Sequence, residues 1–284
     1  MQDTTNFNFG GHEQTQGLGV VEDNKTLGLF AHTTLAVSAK GVPIGLLDQQ
    51  VWSRPHNPHS RRKDNGQRAF PITEKESMKW LKGLRNSVEA QSTWKTVSIC
   101  DREAAIYEVF QEAHNLGAGF MVRAVREHKL ESDLGLKAVL LQLPCELQFS
   151  LELQRHDGQA ARQAQVELGY TTLTLEPPKN RTAANTAFPL TPLAVQVIEV
   201  LEKTPPEGGV ALHWVLLTNL PIAGVEDAQR WVRFYSYRWL VERFHFVLKS
   251  GGCHFEDSQL RPFEALTRFI ALCSAVAWRI LWMT

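Results

Sequence analysis

"YSYRWLVERFHFVLK", residues 235–249, sets a phenol, a guanidinium, a carboxylate and an ammonium among bulky apolar residues, at the spacing Tyr-x2-Arg-x3-Glu-x6-Lys. Wound as one α-helix at about 3.6 residues per turn, Tyr235, Arg238, Glu242 and Lys249 fall within an arc of about 60°. Phe234, Tyr237, Leu240, Val241, Phe244 and Leu248 spread over the other side as a core stripe. The spacing therefore predicts a helix with one packing face and one narrow face carrying both charge signs and a phenol. Taken alone, that face also suits an ordinary solvated helix with Arg238 and Glu242 paired at i,i+4. The rest of the chain decides between the two.

With 284 residues there is length for one large domain or two small ones. Hydrophobic residues at 43% and charged residues at 21% are the balance of a folded soluble protein and exclude a disordered one. The 30 Lys+Arg match the 30 Asp+Glu, so any nucleic-acid contact must come from local patches. Cys100, Cys145, Cys253 and Cys273 are far apart without a CxxC pair; they read as reduced thiols in a cytoplasmic protein and argue against a zinc site. "MQDTTNFNFG" has neither a basic nor an apolar leader region, so nothing suggests secretion. The apolar C-terminal run is interrupted by Arg268 and Arg279, which predicts a buried helix instead of a membrane span.

Working outward, "TLGLFAHTTLAVSAKGVPIGLLDQQVW" reads as two strands joined by a turn over residues 39–43. A loop follows between Ser53 and Thr73. Its basic cluster, Arg61, Arg62 and Lys63, reads as solvated, with DNA contact as the other reading. Met78, Leu81 and Leu84 have helical spacing, "WKTVSICD" is a short apolar strand ending at Asp101, and a helix closed by Gly117 leads to the strand "GFMVRAV". That order predicts a mixed α/β sheet flanked by helices. From about residue 127 to 219 the texture changes to alternating, half-buried strands separated by "HDGQ" and "EPPKNR", a β-rich antiparallel insertion; helices resume at Val225.

Asp101 ends an apolar strand, and carboxyl ends of strands in open α/β sheets are where chemistry is placed. It also suits an N-cap for the next helix, with Glu103 in the first turn. Asp3, in "MQDTT", reads alone as part of a terminus. Three carboxylates, however, are what two-metal phosphoryl transfer requires: divalent ions about 3.5–4 Å apart clamp the attacking and leaving oxygens.

"MQDTT", "CDREAAIYEVF" and the Tyr-x2-Arg-x3-Glu-x6-Lys stretch, in this order, resemble the DDE cut-and-paste transposases of bacterial insertion sequences, in their YREK subgroup of transposon-five type. "EKESMKWL", "MVRAV", "LHWVLLTNLP" and "ERFHFVLKSG" extend the likeness through most of the chain. The resemblance implies a ribonuclease-H-like core over residues 1–126 and 222–284, interrupted by the β-rich insertion at 127–221. It makes Asp3, Asp101 and Glu242 the metal-binding triad for two Mg²⁺ ions, with Mn²⁺ able to substitute. Tyr235, Arg238 and Lys249 become phosphate-side contacts, and Trp214 and Trp239 match positions that hold a base drawn from the duplex. Trp214 in an apolar strand also reads as core. Arg123 and His32 match a family arginine and histidine, although a lone strand histidine is commonly structural. The implied partners are transposon-end and target DNA and a second copy of the protein. The implied activity is Mg²⁺-dependent strand cleavage and transfer in the cytoplasm, at the nucleoid when DNA-bound.

Two departures from the family pattern shape the expectation. The end-recognising region that would precede Asp3 and the C-terminal helices that pair protomers are both lacking, so the chain reads as truncated at both ends. Asp3 is expected to be poorly anchored, on a strand reduced to two residues. A second reading follows, a non-catalytic fragment that binds DNA or an intact transposase and interferes with transposition; a nuclease that cuts without joining is a third.

Overall fold

Eleven residues of "LGLFAHTTLAV", rich in β-branched and aromatic side chains, form the longest strand of an antiparallel sheet. A computed structural model describes the chain except residues 12–13, 22–25, 55–69, 91–94, 125–127, 132–134, 155–159, 180–187 and 207. The basic cluster at Arg61, Arg62 and Lys63 lies outside the described residues. The chain divides into two units, Met1–Arg68 with Trp239–Thr284, and Ala69–Arg238.

The first unit holds β1 (Gln2–Asn8), β2 (Gly19–Val20), β3 (Leu27–Val37) and β4 (Pro43–Trp52). β3 is central and pairs antiparallel with β1, β2 and β4. The turn into β4 closes through Gly41 N–H donating to Ser38 O at 2.9 Å, with Gly41 at φ 82°, a conformation that favours glycine. Gly28 on β3 is required for a different reason: a Cβ there would come within 2.0 Å of the Phe7 carbonyl oxygen. The unit is completed by α-helices Trp239–Phe246 and Phe263–Met283 and a π-helical turn at Val247–Gly251. Phe255, fully buried, meets Phe7, Phe9 and Phe269 in the core.

The second unit is a six-stranded mixed sheet flanked by helices. In chain order it contains α1 (Met78–Glu89), β5 (Val97–Cys100), α2 (Tyr107–Asn115), β6 (Gly119–Arg123), α3 (Leu136–Leu141), β7 (Leu147–Leu153), β8 (Arg162–Leu175), β9 (Leu193–Leu201), β10 (His213–Thr218) and α4 (Val225–Ser236). The strand order is β5-β6-β10-β9-β8-β7. β5 and β6 are parallel, joined by α2, and the remaining pairs are antiparallel. The alternating strands after residue 127 thus continue the sheet of β5 and β6, because β10 pairs with β6 on one side and β9 on the other. Trp80, Leu81, Leu84, Phe110, Phe120, Val122 and Leu217 form part of its core.

Three expectations are corrected. The helix expected to run through Tyr235–Lys249 is broken: α4 ends at Ser236, and α5 (Trp239–Phe246) begins after a turn in which Tyr237 and Arg238 donate to Phe234 and Tyr235 carbonyls. These i→i+3 bonds tighten the backbone, and the wider π turn follows α5, so one wheel at 3.6 residues per turn does not apply across the stretch. Asp3 is not poorly anchored. It lies in a seven-residue strand, opposite Thr33, and the Met1 ammonium donates to Leu35 O at 2.7 Å. The C-terminal helix, α6 (Phe263–Met283), is buried along one face only, through Leu266, Ile270, Cys273, Ser274, Ala277 and Leu281; Leu272, Val276, Trp282 and Met283 are exposed. By length and composition it is apolar enough to cross a membrane, despite its two arginines.

Candidate nucleic-acid and metal site

The residues singled out by motif fall into two sets, one in each unit. In the mixed sheet, β5 and β6 are parallel with Cys100 opposite Val122, so Asp101 and Arg123 leave neighbouring strands at the same carboxyl end. Asp101 caps the 3₁₀ turn Arg102–Ala104, its Oδ1 accepting from Glu103 N–H at 2.9 Å. The capping role read from sequence is therefore real, and it orients the carboxylate. Arg123 donates to His213 O at 3.0 Å.

Tyr235, in the last turn of α4, is 4% exposed and meets Trp214 of β10 edge-on, ring centroids 5.0 Å apart. Trp214 is half-buried. The Arg238 guanidinium acts electrostatically on the Tyr235 phenol. Burial pushes that phenol up to about 12; the nearby charges of Arg238 and Arg123 oppose the shift and Asp101 adds to it. Tyr235 is thus a neutral phenol that feels the charges of two guanidiniums and a carboxylate. Cys100, also pushed up to about 12 by burial, is an inert thiol.

The second set is built on β1 and α5, which pack together. Asp3 Oδ2 lies 3.5 Å from His245 Nδ1, and His245 Nε2 lies 3.1 Å from Thr33 Oγ1. Glu242, one turn before His245, is half-buried, as is Trp239 at the start of the helix. Lys249 Nζ donates to Asn6 Oδ1 of β1 at 3.4 Å and sits over the Phe7 ring at 5.8 Å. His32 is fully buried with Nδ1 on Thr4 Oγ1 at 2.9 Å and Nε2 on Gln2 Oε1 at 3.0 Å, so its ring joins β3 to β1.

His245 and Thr33 were not among the residues singled out from the sequence. The available signal for His245 was its i,i+3 spacing from Glu242, which places both on one side of a helix. For Thr33 there was none, since only strand register brings it opposite Asp3.

Within either unit, no group of three or more His, Cys, Asp or Glu side chains is gathered as a metal site among the described residues. The carboxylates on β1 and α5 are of the chemical type a hard cation takes. Asp3 and Glu242 offer carboxylate oxygens, the ligand type Mg²⁺ prefers, and it binds through one or two carboxylates while keeping waters. No protein-family profile matches the chain.

Proposed function

We propose that this chain is the catalytic core of a DDE transposase with a ribonuclease-H-like fold, which cuts and joins DNA by phosphoryl transfer. One observation carries the reading: each half of the Tyr-x2-Arg-x3-Glu-x6-Lys motif lies beside a carboxylate-bearing strand. Tyr235 and Arg238 accompany Asp101 at the end of β5, while Lys249 bonds β1, the strand of Asp3, on which the helix of Glu242 packs. In this reading Asp3, Asp101 and Glu242 hold two Mg²⁺ or Mn²⁺ ions, which when bound would activate water or a DNA 3′-hydroxyl and stabilise charge at the scissile phosphate.

The chain's other residues bind and orient the DNA. Arg123 and Arg238 present planar forks that match phosphate oxygens two at a time, and Lys249 supplies a point charge. The Tyr235 phenol, protonated at any physiological pH, is a neutral group in the field of Arg238. Trp214 and Trp239 offer aromatic faces against which an unstacked base can rest, a sequence-tolerant interaction. A second copy of the chain, bringing two DNA ends together, belongs to the same reading.

The test is a cleavage and strand-transfer assay with the purified chain and a duplex bearing the DNA that borders its coding sequence, in Mg²⁺ and in Mn²⁺. Nicked and joined products that vanish in Asp101→Ala and Glu242→Ala are the expected result. Nicking without joining would indicate a nuclease. Duplex binding with no cleavage in either metal would overturn the enzymatic reading and favour an interfering, non-catalytic role.

A further inference from the structure

Asp3 and Thr33 face each other across the β1–β3 ladder, and a single buried imidazole touches both. His245 is 5% exposed and Thr33 is fully buried, so neither can exchange these contacts for water. Behind Thr33 the polar chain continues: Gln49 Nε2 of β4 donates to Thr33 Oγ1 at 3.4 Å and to Ser274 Oγ of α6 at 2.9 Å. Ser274 in turn donates to Gln49 Oε1 at 3.0 Å. We propose that His245 is a positioning residue for the Asp3 carboxylate, oriented by the Thr33–Gln49–Ser274 relay. The proposal rests on the metal-ligand role assigned to Asp3 above.

The donor inventory sets the direction of the relay. A carboxylate only accepts, so the ring nitrogen facing Asp3 must donate, and the Thr33 hydroxyl, which accepts from Gln49, is left to donate to His245 Nε2. Nε2 is then an acceptor, and in the neutral ring the proton resides on Nδ1, the nitrogen that faces Asp3 Oδ2. The other tautomer would aim a lone pair at a carboxylate. The relay thus links β4, β3, α5 and α6 to the orientation of one carboxylate on β1. Residues that orient metal ligands from behind in this way commonly contribute about 10–100-fold to metal affinity.

The test is Mn²⁺ binding by the full chain, read as loss of the free-ion electron paramagnetic resonance signal, with thermal melting to confirm folding. Four variants are compared with the unaltered chain: Asp3→Ala, His245→Asn, His245→Gln and Thr33→Val. Asn places its amide nitrogen near the position of Nδ1 and keeps a donor for Asp3, whereas Gln reaches toward Thr33 and does not. His245→Gln should therefore weaken Mn²⁺ binding by about 10–100-fold, with His245→Asn near the unaltered chain and Thr33→Val between them. If Asp3→Ala binds as tightly as the unaltered chain, the metal role of Asp3 itself fails. If Asp3→Ala weakens binding while His245→Gln does not, or if Asn and Gln weaken it equally, the positioning role is overturned. Should His245→Gln fail to fold, Thr33→Val decides, since it leaves the imidazole in place: unaltered affinity there overturns the proposal.

Discussion

The ring of Tyr235 meets Trp214 edge-on, with centroids 5.0 Å apart and planes inclined at 71°. Two residues that spacing and resemblance assign to DNA are thus packing partners first. Trp214 sits at the end of β10 that pairs with β9, opposite Val200, and Tyr235 brings the end of α4 against it. Tyr235→Ala should destabilise the protein by about 3–5 kcal/mol, the usual cost of deleting a buried aromatic ring. Tyr235→Phe keeps the ring and forfeits only the phenol oxygen, so its cost should be about 1 kcal/mol. Urea denaturation of the two variants checks this; equal losses would show that the phenol oxygen, not packing, dominates.

Arg238 and Lys249 separate from Tyr235 in a binding experiment. If each neutralises one phosphate, Arg238→Ala and Lys249→Ala should weaken binding to any duplex about equally. Each should also flatten the slope of log affinity against log salt by about 0.9. Titrations of two unrelated duplexes over a range of salt concentrations supply the measurement. A change in sequence preference with an unaltered slope would contradict the phosphate role.

β1 offers a third check. Its residues from Gln2 to Asn8 pair with residues 28–34 of β3, and the Met1 ammonium is held by Leu35 O. Backbone amides in such a ladder open only with the surrounding structure. Hydrogen exchange followed by mass spectrometry should show the peptide covering residues 2–8 protected to a degree comparable with β3. Exchange at the rate of an unstructured peptide would mean that Asp3 is not held.

A fourth prediction concerns stability and pH. Glu202, whose side chain is 2% exposed, accepts from Arg162 Nη2 at 2.7 Å and from Leu212 N–H at 3.0 Å. The Arg162 guanidinium holds its carboxyl below the usual carboxylate range. A depressed folded-state pKa means that the pair stabilises the protein above the ordinary carboxylate value and loses that contribution as pH falls through the folded value. Arg162→Ala leaves a buried charge unpaired and should cost about 3–5 kcal/mol near neutral pH. The variant should also lack this part of the acid-induced loss, which denaturation at neutral and acid pH will reveal.

Several elements were legible because their signals are local. The β3–β4 hairpin follows from two β-rich runs around Ala39–Pro43, and the strand–helix–strand passage from Val97 to Arg123 follows from apolar runs and Gly117, which adopts φ 64°. The carboxyl-end position of Asp101 came from the same passage. The break after Ser236 was not legible: residues 225–249 contain neither glycine nor proline, and every one of them tolerates a helix. Nor was the phase of the motif helix. Tyr235 is buried while Phe234 and Tyr237, assigned to the core stripe, are half-buried, because burial follows the sheet against which α4 packs.

The sequence by itself determined the β3–β4 hairpin, the strand–helix–strand passage from Val97 to Arg123, and which residue types are able to bind phosphate or metal. Those properties depend on neighbours a few positions away. Only the tertiary structure decided that "QDTTNFN", with Phe7 its one large apolar residue, is a full strand, since its hydrogen bonds come from β3 about thirty positions later. The same holds for His245. Its importance rests on Asp3 and Thr33 being opposite in register and on a helix more than two hundred residues further along the chain docking over both. Ladder register and burial are set by partners distant in sequence, and no local pattern contains them.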